Sequence, residues 1–142
     1  MAEVFRQIVD GDDIPQIGHL LKRMTAEQAS TSIPGVPYTI LTNLEHADFW
    51  QRIWLGRLTG GKKPSFKDDW REPDPSEYET IRGSFLANLA KAHEIASSKP
   101  FDHKMKSDDV AVKTLIMIPV HDAYHIGQIK LLACMLSTQN SS

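Results

Sequence analysis

The sequence predicts an all-α protein, and three observations support this prediction. Apolar residues recur at helical spacing in several long segments. Alternating runs rich in β-branched residues, which would predict strands, are missing. Glycine and proline cluster in a few places and divide the chain into helical stretches. Since each amphipathic helix needs a partner to cover its apolar stripe, we expect an antiparallel four-helix bundle with a short extra N-terminal helix.

The composition predicts one soluble domain, residues 1–142. The hydrophobic fraction is 41% and the charged fraction 24%, both ordinary for a globular protein. The net charge of -2 and the scattered basic residues give no reason to expect nucleic acid or an anionic membrane as a partner. No apolar run reaches the roughly 18 residues that a membrane span requires, and the N-terminus lacks a signal-peptide core. The single cysteine, Cys134, excludes an internal disulfide and suggests a cytoplasmic location.

Two helices are predicted before the first long loop. A short one over residues 2–9 ends at Asp10 and Gly11. The next is expected to begin at Asp13, which can cap the first turn while Gln16 completes a capping box. Its apolar residues recur at helical spacing. These residues are Ile17, Leu20, Leu21 and Met24.

Three longer helices follow. The first is predicted over residues 39–58 and the last over residues 108–136, which opens with acidic residues as the helix dipole favours. Between them, a helix begins with Asp74 as N-cap, Pro75 in the first turn and Glu77 completing a capping box. Its apolar stripe is Tyr78, Ile81, Phe85, Leu89, Ala92 and Ala96.

The connections between the helices are predicted as loops. Residues 31–37 contain two prolines and a glycine, which exclude a helix. Residues 62–75 form a connection that is long for a helical bundle. Within it, Asp68, Asp69 and Trp70 are interpreted as a solvated turn in preference to a lid. Residues 98–106 form the last connection.

Two histidines stand out on the last helix. His121 and His125 are four residues apart, so that both rings lie on one face about one turn apart. Ile118, Gln128 and Leu132 share this face, which indicates that the rings are buried. A divalent metal would satisfy one nitrogen of each ring, because one ion can be reached from both. The spacing and the face are equally compatible with two hydrogen-bonded core histidines.

His46 is the natural third metal ligand. It lies midway along the helix predicted over residues 39–58, within about 60° of Phe49 and Trp50 on the helical wheel. The competing interpretation is a lone histidine in the core. The cases for the other three histidines are weaker, and two of them, His93 and His103, are expected to be solvated.

Several neighbours of the histidines are candidates for supporting roles. Tyr124 and Gln128 border the histidine face and are weak candidates for orienting ligands or substrate; packed, hydrogen-bonded side chains are the competing interpretation. Asp122 and Glu45 are not assigned as bases, and Asp122 is expected to face away from the histidines. Cys134 is interpreted as a small core residue.

These motifs resemble the DinB-like family. The resemblance is carried by the stretch Asn43–His46 on one helix and by His121–Gln128 on the last, where His-x-x-x-His is followed by Gly-Gln. The two motifs have the order and the separation of the family pattern, and the resemblance covers nearly the whole chain. Pro119, two residues before His121, departs from the family pattern and affects the expected coordination geometry.

The resemblance implies an up-down-down-up four-helix bundle that is often a homodimer. It also implies one metal ion, commonly zinc or nickel, on three histidines that match His46, His121 and His125. Similar proteins include enzymes that use a low-molecular-weight thiol, such as bacillithiol or mycothiol, as a cosubstrate. The function expected from the sequence is therefore metal-dependent thiol transfer or hydrolysis of a small molecule. A non-catalytic metal-binding stress protein and a metal-free helical scaffold are the alternatives.

Overall fold

The computed structural model describes residues 1–11 and 16–141. Within these residues every regular element is helical, which confirms the predicted all-α class. Two short 3-10 segments, Phe66–Asp68 and Pro75–Glu77, lie in the connection between the fourth and fifth helices. The helices are α1 (Ala2–Asp10), α2 (Ile17–Lys22), α3 (Ala26–Ser30), α4 (Ile40–Thr59), α5 (Tyr78–Ser97) and α6 (Asp108–Gln139).

The N-terminal segment is more broken than the sequence predicts. Helix α1 ends as expected, at Gly11, whose φ of 71° is left-handed and costs glycine little. The predicted N-cap Asp13 lies outside the described residues. The second helix does not run on through Met24: α2 ends at Lys22, and Thr25 caps the new helix α3. The side chain of Thr25 accepts a hydrogen bond from the Gln28 backbone, and the Gln28 side chain accepts one from the Thr25 backbone.

Helix α4 is the central helix of the fold. Thr39 caps its start, and Gly60, with a φ of 72°, ends it, so the predicted bounds agree to within one residue. Sixteen of its 20 residues are buried, on all sides of the helix. It packs against α5, α6 and α3, which explains why no face is left for solvent. Polar side chains on α4 are therefore buried and need partners inside the protein.

Helices α5 and α6 complete the core. The predicted capping box of Asp74 and Glu77 is confirmed, and it leads through a short 3-10 turn into α5. Helix α6 is 32 residues long and continues through Pro119, which is buried. The core lies between α4, α5, α6 and α1. Among the described residues, no helix combines the length and apolar character needed to cross a bilayer.

Candidate metal centre

Three histidines from two helices meet at one point in the interior. His46 on α4 and His125 on α6 are 6% and 3% exposed, and His121 is half-buried. The ring centroids of His46 lie 5.1 Å from His121 and 4.8 Å from His125, and those of His121 and His125 are 4.3 Å apart. One nitrogen from each ring lies within 4.8 Å of the others. The structure thus brings together the three residues that the sequence selected as ligands.

The ring of His46 is oriented by a carboxylate. Its Nδ1 lies 2.5 Å from Oδ1 of Asp69, which can only accept a hydrogen bond when ionised. The indole Nε1 of Trp50 donates to Oδ2 of the same carboxylate at 3.3 Å. The proton of the neutral His46 ring is therefore placed on Nδ1, which leaves Nε2 as the nitrogen with the free lone pair.

The ring of His125 is oriented by a chain of amides. Asn43 Nδ2 donates to Oε1 of Gln128 at 3.1 Å, and Gln128 Nε2 donates to the Tyr38 hydroxyl at 3.1 Å. Because Asn43 donates through its nitrogen on that side, its Oδ1 accepts from His125 Nδ1 at 2.7 Å. The proton of His125 is thus also on Nδ1, and its lone pair is on Nε2.

His121 lacks such support. Its Nδ1 is buried and has no hydrogen-bond partner among the described residues, while its Nε2 lies 3.0 Å from Nε2 of His125. Since the His125 nitrogen carries a lone pair, the contact requires a proton on His121 Nε2 or a cation between the two atoms. A tetrahedral zinc with 2.0–2.1 Å bonds keeps its ligand nitrogens about 3.3 Å apart. Small movements of the rings would therefore admit an ion, and the donor set fits a divalent metal.

Burial favours the uncharged form of all three rings. Burial, followed by the neighbouring His125 and His46, lowers the pKa of His121 to about 3. Burial and His46 lower the pKa of His125 to about 4. Burial also lowers the pKa of His46, although Asp69 opposes this shift. Only a neutral imidazole offers a lone pair to a metal ion. Burial therefore favours the protonation state of the cluster that can bind a metal ion.

The connection between α4 and α5 covers the cluster. Trp70 stacks on the ring of His46 with centroids 3.7 Å apart and an angle of 16° between the planes, and the Tyr38 ring lies 5.3 Å from Trp70. Trp70 has a φ of 56°, a left-handed conformation that is costly for a bulky residue. The preferred interpretation of Asp69 and Trp70 as a solvated turn is wrong, because both side chains contact His46. Asp68, beside them, is exposed, and Trp70 remains 44% exposed on its outer side.

Aromatic side chains form a wall beside the histidines. The Trp54 ring lies 5.1 Å from His121, and the Trp50 ring lies 6.4 Å from it. Phe66, in the covering connection, packs against Trp50 at 5.9 Å although it is 61% exposed. Apolar walls of this kind lower the polarity around the rings, which strengthens electrostatic interactions there.

Two carboxylates next to the histidines serve other contacts. Glu45 is 2% exposed, and its Oε1 accepts from Arg71 at 3.0 Å and from Arg52 at 3.1 Å. Burial, opposed mainly by Arg71, raises the pKa of Glu45. Asp122 is fully buried on a different side of α6 from the histidines, where it accepts from Gln51 at 2.7 Å. Burial raises the pKa of Asp122 to about 8.

The weak candidates Tyr124 and Gln128 have different positions. Tyr124 is 63% exposed, with its ring 5.0 Å from that of His125, so it is not the packed aromatic of the competing interpretation. Gln128 is half-buried and acts through Asn43 rather than at the rings. Cys134 is exposed, so its interpretation as a core residue is wrong.

The remaining histidines lie outside the cluster. His19 is exposed. His93 is half-buried, and its ring stacks on Phe5 at 6.4 Å. The side chain of His103 is 9% exposed, with its Nε2 2.8 Å from Asp108, so the prediction that it is solvated is wrong.

Sequence reasoning assigned no contact with the histidines to Asn43, Asp69 or Trp70, although it weighed Asp69 and Trp70 as part of a lid. Asn43 lies three residues before His46, but an asparagine on a helix has many possible partners. Asp69 and Trp70 lie in a loop without periodicity, so no local pattern indicates their contacts. No family model, curated protein or solved structure matches this chain. The DinB-like resemblance therefore depends on the sequence motifs alone.

Proposed function

We propose that this protein binds one divalent metal ion through His46, His121 and His125 and acts as a metal-dependent enzyme on a small molecule. The observation that carries the proposal is the convergence of three imidazoles at one point, with burial favouring their uncharged form. Oxygen acceptors lie behind two of the rings, as they do behind most metal-ligating histidines. A buried imidazole nitrogen without a hydrogen-bond partner destabilises the folded protein. A metal ion bound to that nitrogen would remove this cost.

The proposal includes a four-helix bundle of the DinB-like kind. Helices α4, α5 and α6 would be three of the four helices of this bundle. The broken segment α1–α3 would be the fourth, since α1 packs against α5 and α6 while α3 packs against α4. A bundle of this kind builds metal sites from side chains on facing helices, as His46 on α4 and the two histidines on α6 are placed.

The ligand set favours catalysis over a purely structural ion. Three protein ligands leave a coordination position open, which is typical of catalytic zinc sites. When bound, such an ion supplies Lewis acidity that lowers the pKa of a water or thiol and polarises a substrate oxygen. Imidazole suits several transition metals, and the family resemblance favours zinc or nickel. The proposed reactions are transfer of a low-molecular-weight thiol and hydrolysis.

The chain's own residues have defined tasks in this proposal. Asp69 and Asn43 hold protons on the Nδ1 atoms of His46 and His125, so that the Nε2 lone pairs point away from these acceptors. Trp70 limits the access of water to the rings. Tyr124, exposed beside His125, is placed to contact a substrate at the rim, and we assign it no proton transfer.

A second candidate function is metal binding without catalysis. Two observations favour it: Trp70 covers the ring of His46, and the carboxylates of Glu45 and Asp122 are engaged elsewhere. A metal-free scaffold is the third candidate. It is favoured by the 3.0 Å contact between His121 and His125, which is a satisfactory hydrogen bond between neutral rings.

Metal analysis of untagged protein separates the scaffold from the other two candidates. We expect about one equivalent of metal, with at least tenfold weaker binding after His46→Ala, His121→Ala or His125→Ala. His93→Ala is the matched control, because His93 lies outside the cluster, and it should bind like the parent protein. Unchanged metal content in all three ligand variants would reject this site.

Turnover assays separate the enzyme from the non-catalytic protein. The metal-loaded protein is incubated with electrophilic small molecules and a low-molecular-weight thiol, and separately with ester and amide substrates. We expect turnover that chelation abolishes and metal restores. If protein with full metal content accelerates neither class of reaction, the non-catalytic candidate replaces the enzyme.

A further inference from the structure

A surface cavity lies between α4, α5 and the start of the connection that joins them. Its volume is about 460 Å³, which is within the range of sites for small molecules. Four of the side chains that line it are cations, and none of its described lining residues is acidic. The cations are Arg52 on α4, Lys62 and Lys63 in the connection, and Lys91 on α5. We name this the cationic cavity.

The cationic cavity is separate from the candidate metal centre. At 3.6 residues per turn, Leu55 and Thr59 of its lining lie about 180° and about 140° around α4 from His46. The cavity is on the side of α4 that faces α5, whereas His46 faces the histidines of α6. A ligand in the cavity would therefore bind whether or not the histidines hold a metal ion.

Buried carboxylates hold the guanidinium of Arg52 in place. Its Nε donates to Oδ2 of Asp48 at 2.8 Å, and its Nη2 donates to Oε1 of Glu45 at 3.1 Å. Asp48 and Glu45 are each 2% exposed, so this orientation is built into the core. Nη1 has no hydrogen-bond partner among the described residues and can donate to a ligand. Because the carboxylates balance its charge, Arg52 contributes a directed hydrogen bond more than net charge.

The net positive charge of the cavity comes from the connection. The stem of Lys63 lies directly on α4, because Gly56 has no Cβ atom there; a Cβ would be 2.5 Å from Cγ of Lys63. Lys91 forms an ion pair with Glu94 at 3.0 Å. Among the described residues, neither Lys62 nor Lys63 has an ion-pair partner. The cavity therefore presents two cations without a counter-charge, which matches an anion with two negative charges.

We propose that the cationic cavity binds a small phosphorylated molecule with at least two negative charges. Its cations come from three elements, α4, the connection and α5. A tetrahedral phosphate offers oxygens in several directions to such a set, whereas a carboxylate offers two oxygens in one plane. Ammonium and guanidinium groups are the usual side-chain partners of phosphate. The lining also includes Leu55, Gly56 and Pro64, which would contact the organic part of the ligand.

Calorimetric titration with sodium pyrophosphate tests the site in the full chain, which is first freed of metal so that no ion can bind the probe. We expect saturable binding with a dissociation constant below about 1 mM. Lys62→Gln combined with Lys63→Gln should raise this constant at least tenfold. Lys22→Gln combined with Lys113→Gln is the matched control, since it removes the same charge from exposed positions outside the cavity. No saturable binding, or an equal loss in both double variants, would overturn the proposal.

Backbone amide chemical shifts locate the bound probe. On addition of pyrophosphate to the metal-free protein, the largest changes should occur at residues 55–63 and 88–91. Changes centred on His46, His121 and His125, or spread evenly over the surface lysines, would refute this location. Citrate at equal ionic strength tests the chemical class of the ligand and should bind more weakly than pyrophosphate. If citrate binds as tightly or more tightly, the assignment to phosphate is wrong.

Discussion

The carboxylate of Asp69 holds the imidazole of His46 across a separation of 23 residues in sequence, with Oδ1 2.5 Å from Nδ1. This contact joins the connection between α4 and α5 to the candidate metal centre. It fixes the tautomer of His46 and increases the electron density on the other ring nitrogen. The covering loop is thus part of the site.

Replacing Asp69 should weaken metal binding. We expect Asp69→Ala to lower the affinity for zinc about 10- to 100-fold, because His46 loses the acceptor that orients it. Asp69→Asn should have a smaller effect, since an amide oxygen still accepts the proton on Nδ1. Competition against a zinc indicator measures both changes.

Asp68→Asn is the matched control for Asp69, because Asp68 is the adjacent exposed carboxylate. It removes the same charge from the same loop and should leave the zinc affinity unchanged. Equal effects at both positions would mean that general electrostatics, and not the contact with His46, sets the affinity.

Replacing Asn43 should also weaken metal binding. Asn43→Leu removes the acceptor for His125 Nδ1 and leaves a buried donor unpaired, so we expect a loss of about 10-fold or more in zinc affinity. Gln128→Ala removes only the next member of the chain and should cost less. Calorimetric titration with zinc ranks the affinities of the parent protein, Asn43→Leu and Gln128→Ala. A larger loss of affinity for Gln128→Ala than for Asn43→Leu would contradict the proposed order of contacts.

Helix positions were predictable because their signals are local. Thr39, Asp74 and Gly60 act within one turn of the helix end that they define. The break between α2 and α3 was missed although Thr25 and Gln28 carry the pattern of a capping box. The apolar spacing through Met24 favoured one continuous helix in the prediction. In the structure, the cap formed by Thr25 begins a new helix instead.

The site was predictable only where it lies on one helix face. His121 and His125 are related by helical geometry, which sequence spacing reveals. Asp122 lies on a second packed side of α6, which a helical wheel centred on the histidines does not identify, and Gln51 of α4 donates to it there. Trp70 was misinterpreted because its contact with His46 arises from loop closure. No periodic pattern records such a contact.

Removing the indole of Trp70 should open the site. Trp70→Gly removes the ring over His46, and glycine adopts the left-handed φ of 56° without strain, which offsets part of the lost stacking. We expect a chelator to remove the metal at least tenfold faster. Stopped-flow release into a chelating dye measures the rate.

Phe66→Ala is the control for Trp70, because it removes an exposed ring of the same loop that packs on Trp50 and not on a histidine. Its metal release should resemble that of the parent protein. An unchanged rate in Trp70→Gly would show that the indole does not limit access to the ion.

Glycine substitutions test the packing of the covering loop. A Cβ atom on Gly56 would lie 2.5 Å from Cγ of Lys63 and 3.1 Å from the Lys62 carbonyl oxygen. Overpacking typically costs about 1–3 kcal/mol and should outweigh the helix-propensity gain of up to about 1 kcal/mol, so Gly56→Ala should lower the unfolding free energy. Gly83→Ala, at a helical position with no heavy atom within 4 Å, should gain up to about 1 kcal/mol from helix propensity. Denaturant unfolding of both variants checks the difference in sign.

The last prediction concerns the acid sensitivity of the loop anchor. Glu77 accepts from both terminal nitrogens of Arg71 at 3.0 and 2.9 Å and from the Asp74 backbone at 2.8 Å. The Arg71 guanidinium, followed by the Asp74 backbone, lowers the pKa of Glu77. A carboxylate with a lowered folded-state pKa stabilises the protein above its unfolded pKa, and this stabilisation is lost as the pH falls through the folded-state value.

Glu77→Gln should therefore be less stable than the parent protein at pH 7. The difference in unfolding free energy should shrink below about pH 4.3, the ordinary pKa of glutamate, and vanish in stronger acid. Glu79→Gln is the control, since Glu79 lies on the exposed side of α5 and forms an ion pair with Arg82 of the same helix. Urea unfolding at several pH values measures both variants. A Glu77→Gln deficit that persists unchanged in acid would mean that the residue acts through packing, because protonation of the parent carboxylate should otherwise remove the difference.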